Sequence, residues 1–232
     1  MKKVFVLAAF ALIGLMSMTK PGPTSFKLDA AKSTFKWTGK KVTGTHWGYI
    51  KFSDGTLAIE NGALIGGSFN VDMTTMDCQD MPADKGGAKL LGHLKSDDFF
   101  SAEKFPKSTL VIKSVTAKGN NQYDVKADLT IKGISNEVAF PTTVAITGNS
   151  ATATASFDVD RTKYDIKYRS GNFFENLGDK AIENNFTVDV NLVAVTDAPV
   201  AAAAAKATPA VKKAKKRKKV AVKTEKVEKA AH

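Results

Sequence analysis

The chain predicts an all-β fold whose short antiparallel strands close into a barrel or stack as a sandwich. Two observations predict it. Apolar and polar residues alternate with period two along run after run between Phe26 and Val195, the pattern of strands with one buried face. Turn-forming residues also punctuate those runs at regular spacing, and helical spacing is confined to short stretches.

Residues 21–25 (PGPTS) read as a linker. The domain opens with FKLDAAKSTFKWTGKKV, in which Phe26, Leu28, Phe35 and Trp37 alternate across a turn at Asp29–Lys32. HWGYIKF and TLAIENG then predict a hairpin joined by Ser53-Asp54-Gly55, a strong turn signal. ALIGGSFNVDMTTM follows, with Gly66-Gly67 in mid-strand, where glycines suggest a bulge or sharp curvature. Residues 77–87 are turn-rich, and Ala88–Leu94 has the spacing of a short amphipathic helix.

The most informative stretch, Lys89–Phe140, joins that helix and the pair Phe99-Phe100 to three alternating strands. Their apolar faces are Leu110 and Ile112; Tyr123, Val125, Leu129 and Ile131; then Val138, Phe140, Val144 and Ile146. An Asn120-Asn121 turn and Lys132-Gly133 separate them. SATATASFDVDR supplies a further strand, and residues 161–184 an irregular connection with a short helix near 176–181. NNFTVDVNLVAV closes the domain, with Phe186, Val188, Val190 and Leu192 on one face. This makes nine or ten strand segments, some of them halves of one bent strand.

The ends differ from this region. Residues 1–20 open with Lys2 and Lys3, followed by an apolar run from Val4 to Met16, then small and polar residues, the layout of a secretory signal peptide. The run is short for a membrane span, and Leu15-Met16-Ser17 is a weak cleavage site. No cysteine follows it, so a lipoprotein anchor is not expected. The expected location is periplasmic or secreted. The single cysteine, Cys78, makes no intrachain disulfide, so the hydrophobic core must stabilise the domain.

The net charge of +11 belongs mostly to residues 198–232, which hold eleven Lys or Arg against two Glu. That segment is an Ala/Pro linker followed by KKAKKRKK, too poor in apolar residues to fold alone. It reads either as a grip on an anionic membrane or polysaccharide or as a solvated tail. Nucleic acid does not fit an exported chain. The organisation expected is signal 1–20, domain 21–197 and disordered tail 198–232.

Chemistry-bearing residues are few. His46 and Trp47 start a strand, either at the barrel mouth facing a head group or as an ordinary aromatic strand end. Arg161 suits a phosphate or carboxylate fork, or an ion pair with Asp158, Asp160 or Asp165. His93 reads as a packed helix histidine. Asp77, Cys78 and Asp80 lack the convergent histidines or cysteines that a metal site needs. Cys78 between acids is a poor nucleophile. With no nucleophile elbow, phosphate-cradling loop or dinucleotide fingerprint, no catalysis, metal or cofactor is expected.

LDAAKSTFKW, GSFNVDMTTMD, HLKSDDFFSAEKFPKSTL, YDVKADLTIKGISNEV and SFDVDRTKYDIKY, in this order, resemble the YceI-like family of exported lipid-binding proteins. The D-x-F-F…F-P run followed by L-T-I-K-G is the most specific part, and the resemblance covers roughly residues 25–196. This chain departs from the family in having Lys32 before Ser33, where His is usual, and Tyr164-Asp165 in place of an aromatic-Gly pair.

The resemblance implies an antiparallel lipocalin-like β-barrel of about eight strands, with one or two short helices, holding an isoprenoid or other long-chain lipid. The alternation then directs Phe69, Val71, Leu110, Ile112, Leu129, Ile131, Phe140, Val144, Phe157, Phe186 and Val188 to the interior as ligand-binding residues. His46, Trp47 and Arg161 are the head-group candidates. Gly67, Ala127, Ala153 and Ala155 are small inward residues that would leave a tube open. The competing reading is a filled barrel serving as a structural or interaction module, tethered to anionic envelope surfaces by the tail. A homodimer stays open.

Overall fold

A computed structural model describes residues 22–197, so the signal and tail expectations lie outside the described residues. Nine strands form the barrel: β1 (Thr24–Leu28), β2 (Thr34–Lys41), β3 (Gly44–Glu60), β4 (Ala63–Asp72), β5 (Lys107–Gly119), β6 (Gln122–Ile131), β7 (Ile134–Thr147), β8 (Ser150–Asp160) and β9 (Ile182–Val195). One helix, α1 (Gly87–Lys95), lies in the long β4–β5 connection, and short 3-10 turns occupy the other irregular segments.

All pairings are antiparallel, and the ring closes where β3 meets β4. Nine segments fill eight positions. β1 and β2 run in the same direction, and both lie between β3 and β9. The chain does turn at Asp29–Lys32, with the Lys32 amide donating to the Asp29 carbonyl at 3.2 Å. It then resumes its course. Ser33 repairs the interruption, its hydroxyl accepting from the Val193 amide at 3.0 Å.

The expected hairpin at Ser53-Asp54-Gly55 is not there. β3 runs through it for 17 residues, with a bulge between Phe52 and Asp54. Gly55 is small because the Phe69 ring lies on it: a Cβ at Gly55 would stand 2.6 Å from Phe69 Cδ1. Ladder bonds on either side of the bulge outweigh the local turn preference of the tripeptide. A second register shift in the β3–β4 ladder leaves Ile65 unpaired, next to Gly66. Near 176–181 the only regular structure is a 3-10 turn, Gly178–Lys180.

The connections sort to two ends. At the hairpin end, tight turns join β3 to β4, β5 to β6 and β7 to β8. Asn61-Gly62 and Asn120-Asn121 take positive φ at both positions, and Gly148 at the first, the turns whose twist suits a two-residue hairpin. At the loop end lie the long connections 73–106 and 161–181. Lys132, in the β6–β7 turn, ties these two together through the carbonyls of Asp97 and Asp165, each at 3.4 Å.

Beyond the Lys51–Asp72 pair, the edge of β3 opposite β2 has no strand beside it. Residues 75–80 take that place, and their side chains supply the acceptors. The amides of Trp47, Tyr49 and Lys51 donate to Asp80 Oδ1 (2.8 Å), Asp77 Oδ1 (2.6 Å) and Thr75 Oγ1 (2.9 Å). An exposed edge of unpaired amides is thereby covered. Gly48 permits it: a Cβ there would run into the Asp77 carbonyl.

Candidate functional site

Inward side chains fill the two halves of the barrel differently. Toward the hairpin end, Phe26, Ile59, Tyr123, Ala151 and Ala194 are buried against one another in the core. Toward the loop end the strands surround a cavity of about 360 Å³, within the range of small-molecule sites. The filled-barrel reading therefore describes only the hairpin half.

All eleven residues expected inside line this cavity: Phe69 and Val71 on β4, Leu110 and Ile112 on β5, Leu129 and Ile131 on β6, Phe140 and Val144 on β7, Phe157 on β8, Phe186 and Val188 on β9. The small residues divide. Ala153 and Ala155 line the cavity. Ala127 is fully buried within the core. Gly67 is small for a local reason, since a Cβ there would come within 2.6 Å of the Thr56 carbonyl oxygen.

Several lining residues were not singled out from the sequence. Phe35, Trp37 and Phe52 face inward from β2 and β3, and Met73, Met76, Leu90 and Leu94 close over the space from the long connection. The first two were visible as alternating positions. The methionines lie in an irregular segment, where no periodicity assigns a face. Trp37 is anchored by its indole N–H, which donates to the Asp77 carbonyl at 3.1 Å.

The side wall has a seam. β7 and β8 pair only from Thr142–Thr147 to Ser150–Ala155. Below that, β7 bonds to β6 alone and β8 to β9 alone. Pro141 stands at the divergence, with no N–H to offer a ladder. The stacked rings of Phe140 and Phe157, centroids 4.3 Å apart and 11° from parallel, bridge the opening and face the cavity. Asn136 Nδ2 donates to the Lys163 carbonyl at 2.9 Å, tying β7 to the loop that follows β8.

His46 lines the cavity at the loop end, its Nδ1 2.8 Å from Asp80 Oδ2. Burial alone would raise the Asp80 carboxyl, but hydrogen bonds from the Trp47 amide, His46 and Cys78 hold it below the usual range. Trp47 is not at the mouth with His46. Neighbours on a strand point to opposite faces, and Trp47 sits outside, edge-on to Tyr49 at 5.8 Å and under Lys36 Nζ at 4.6 Å. His93 faces the cavity from α1, packed edge-on against Phe99 at 4.9 Å and Tyr168 at 4.6 Å.

Arg161 makes none of the expected ion pairs. It is 4% exposed. Its guanidinium donates from Nε to Glu183 O (2.9 Å), from Nη1 to Ile166 O (2.8 Å) and from Nη2 to Ile182 O (3.0 Å). The nearby acids are engaged elsewhere: Asp158 accepts from Thr187, Asp160 caps the turn at Thr162, and Asp165 pairs with Lys167. Burial pulls the guanidinium pKa down, against the Asp160 charge. Arg161 thus fastens the 161–166 turn to the start of β9, with its guanidinium on the cavity wall.

Asp77 and Asp80 bond to β3 amides, and no metal-binding cluster occurs among the described residues. Burial raises the Cys78 thiol, whose Sγ donates to Asp80 Oδ1 at 3.4 Å, so the thiolate that a nucleophile needs is disfavoured.

A family model described as the YceI-like domain matches residues 26–194. A UPF0312 protein of Vibrio cholerae is 30% identical over 139 residues, covering 57% of this chain and 69% of that protein. A UPF0312 protein of Staphylococcus aureus is 52% identical over 48 residues, 21% of this chain and 25% of its own length. Among solved structures, Burkholderia cenocepacia BcnA aligns with a TM-score of 0.60 at 23% identity, covering 72% of this chain and 99% of its own. A polyisoprenoid binding domain from Saccharophagus degradans aligns with a TM-score of 0.54 at 14% identity, covering 75% and 99%. At these identities the structural matches speak to the fold.

Proposed function

The chain belongs to the YceI-like family, and from that premise we propose that it is a non-catalytic binding protein that sequesters or carries one long-chain lipid, isoprenoid-like or similar, in an exported compartment. The observation that carries this is the cavity in the loop half of the barrel, walled by apolar residues from every strand position. One solved structure of similar fold is described as a polyisoprenoid binding domain, which supports an isoprenoid chain as the occupant.

Burial supplies the affinity. At about 25 cal/mol per Å² of apolar surface removed from water, burial of a long chain offsets its lost freedom. The wall is aromatic and aliphatic, so it follows the contour of a chain without reading its sequence of groups. Export rests on the layout of residues 1–20. The histidines, the thiol and Arg161 all bond to neighbouring protein groups, which supports storage or carriage over turnover.

The test uses the full chain purified from its own envelope. Native mass spectrometry should show one amphiphile per protein, released by solvent extraction, and geranylgeraniol should rebind with a change in Trp37 fluorescence. Trp47→Phe should leave that change intact, because the Trp47 ring lies outside. Protein that carries nothing and binds neither prenols, fatty alcohols nor their acid-headed counterparts at micromolar concentration would sink the proposal.

A further inference from the structure

The loop end of the cavity is cationic. Lys40, Lys41, Arg161 and Arg169 line it, against one carboxylate, Glu183. Along β2, Phe35, Trp37 and Gly39 line the cavity, and past a register shift in the β2–β9 ladder between Gly39 and Lys41 so do Lys40 and Lys41. Three of the residues that carry these charges meet at Ile182, two through their backbones and Arg161 through its guanidinium. Lys41 is the register partner of Ile182 across the β2–β9 ladder, Arg169 offers the carbonyl that accepts the Ile182 amide at 3.0 Å, and Arg161 Nη2 donates to the Ile182 carbonyl at 3.0 Å. None of the four makes an ion pair among the described residues. The other charge-bearing groups on the wall are the His46 ring, held by Asp80, and the His93 ring, held by Asp98.

Arg161 is the second, independent observation. A guanidinium carries five N–H groups, and three are used by the Glu183, Ile166 and Ile182 carbonyls. One N–H on each of Nη1 and Nη2 remains, on a side chain 4% exposed that lines the cavity. A buried cation with no carboxylate partner, at the apolar end of a cluster of unpaired cations, favours negative charge there. Low-dielectric walls concentrate that field in the opening.

We propose that the ligand is acid-headed: a phosphate or carboxylate at the end of a long apolar chain, seated at the loop end against Lys41, Arg169 and the free N–H groups of Arg161. The proposal rests on the lipid-binding reading and specifies its head group. The chain enters the apolar half, and its acid stays at the cationic rim. An uncharged head, such as an alcohol, would leave the rim cations without a counter-charge.

The experiment measures binding of two matched pairs to the full chain at low salt, below their aggregation concentrations: geranylgeraniol with geranylgeranyl phosphate, and hexadecanol with hexadecanoate. The acid of each pair should bind about tenfold or more tightly than its alcohol, the worth of one charge-assisted hydrogen bond. A larger gap for the phosphate pair identifies a phosphate seat, and a larger gap for the other a carboxylate seat. The double variant Lys41→Gln with Arg169→Gln should erase most of the gap by weakening the acids far more than the alcohols. Alcohols that bind as tightly as acids, or a double variant that loses both alike, would overturn the acid-headed ligand while the carrier reading stands. If none of the four probes binds, the carrier reading fails and takes this inference with it.

Discussion

The two ends of the barrel use the same eight strand positions and reach opposite results. At the hairpin end short turns draw the strands together, and Phe26, Ile59 and Tyr123 close the interior. At the loop end two long connections accompany the short β2–β3 and β6–β7 turns, β7 parts from β8, and inward aromatic rings stand around open space. The difference lies in what covers the strand ends. A two-residue turn requires adjacent strands to pair to their tips. A connection of many residues does not, so the barrel can widen and a rim can form. The packed core and the cavity are thereby placed toward opposite ends of one sheet.

The sharpest way to break this comparison is to truncate one aromatic in each half. Phe26→Ala should cost about 4 kcal/mol in urea denaturation, because a fully buried ring leaves a cavity. Phe140→Ala should cost only about 1–2 kcal/mol, since its ring already borders open space. Equal losses would mean that the loop half is packed as tightly as the hairpin half.

Arg161→Met comes next. It keeps much of the apolar stem but strands the carbonyls of Ile166, Ile182 and Glu183, and should cost about 3 kcal/mol in the same measurement. A loss under about 1 kcal/mol would show that the clamp at the start of β9 is not needed. Gly48→Ala should cost about 2 kcal/mol, because the segment sealing the β3 edge must move off its carbonyl contact.

Tyr164→Phe should have the smallest effect and the opposite sign. Tyr164 is buried, and its hydroxyl finds no hydrogen-bond partner among the described residues, so removing it should stabilise the protein by up to about 1 kcal/mol. Burial pushes the phenol up to about 12, from an ordinary value of 10.0. The unfolded chain therefore releases this proton first. Stability associated with the neutral phenol is complete below pH 10 and is lost as the pH rises from there through about 12. Alkaline unfolding of Tyr164→Phe should be shallower than wild type in that window. Matching curves would place the hydroxyl in contact with water.

Much of the fold and of the wall was legible along the chain because period two assigns a face to each residue independently of its partners. Leu110, Leu129 and Phe186 could be placed inside on that ground alone. Ser53-Asp54-Gly55 misled because its turn preference is local, whereas β3 is carried through it, with a bulge, by its ladders to β1 and β4. Trp47 was assigned with His46 although alternation puts neighbours on opposite faces. Met73, Met76 and Arg169 were missed because irregular segments have no period to read.

By itself the sequence determined the strand faces, the tight turns and the shortage of reactive groups, since each follows from a residue and its near neighbours. Tertiary structure alone decided that β1 and β2 share one position, that half the barrel is filled and half is hollow, and that Lys41, Arg161 and Arg169 meet at Ile182. Those outcomes depend on how the ring closes. Closure needs β9 to pair with β1 and β2, strands distant in the chain, and no local pattern carries that.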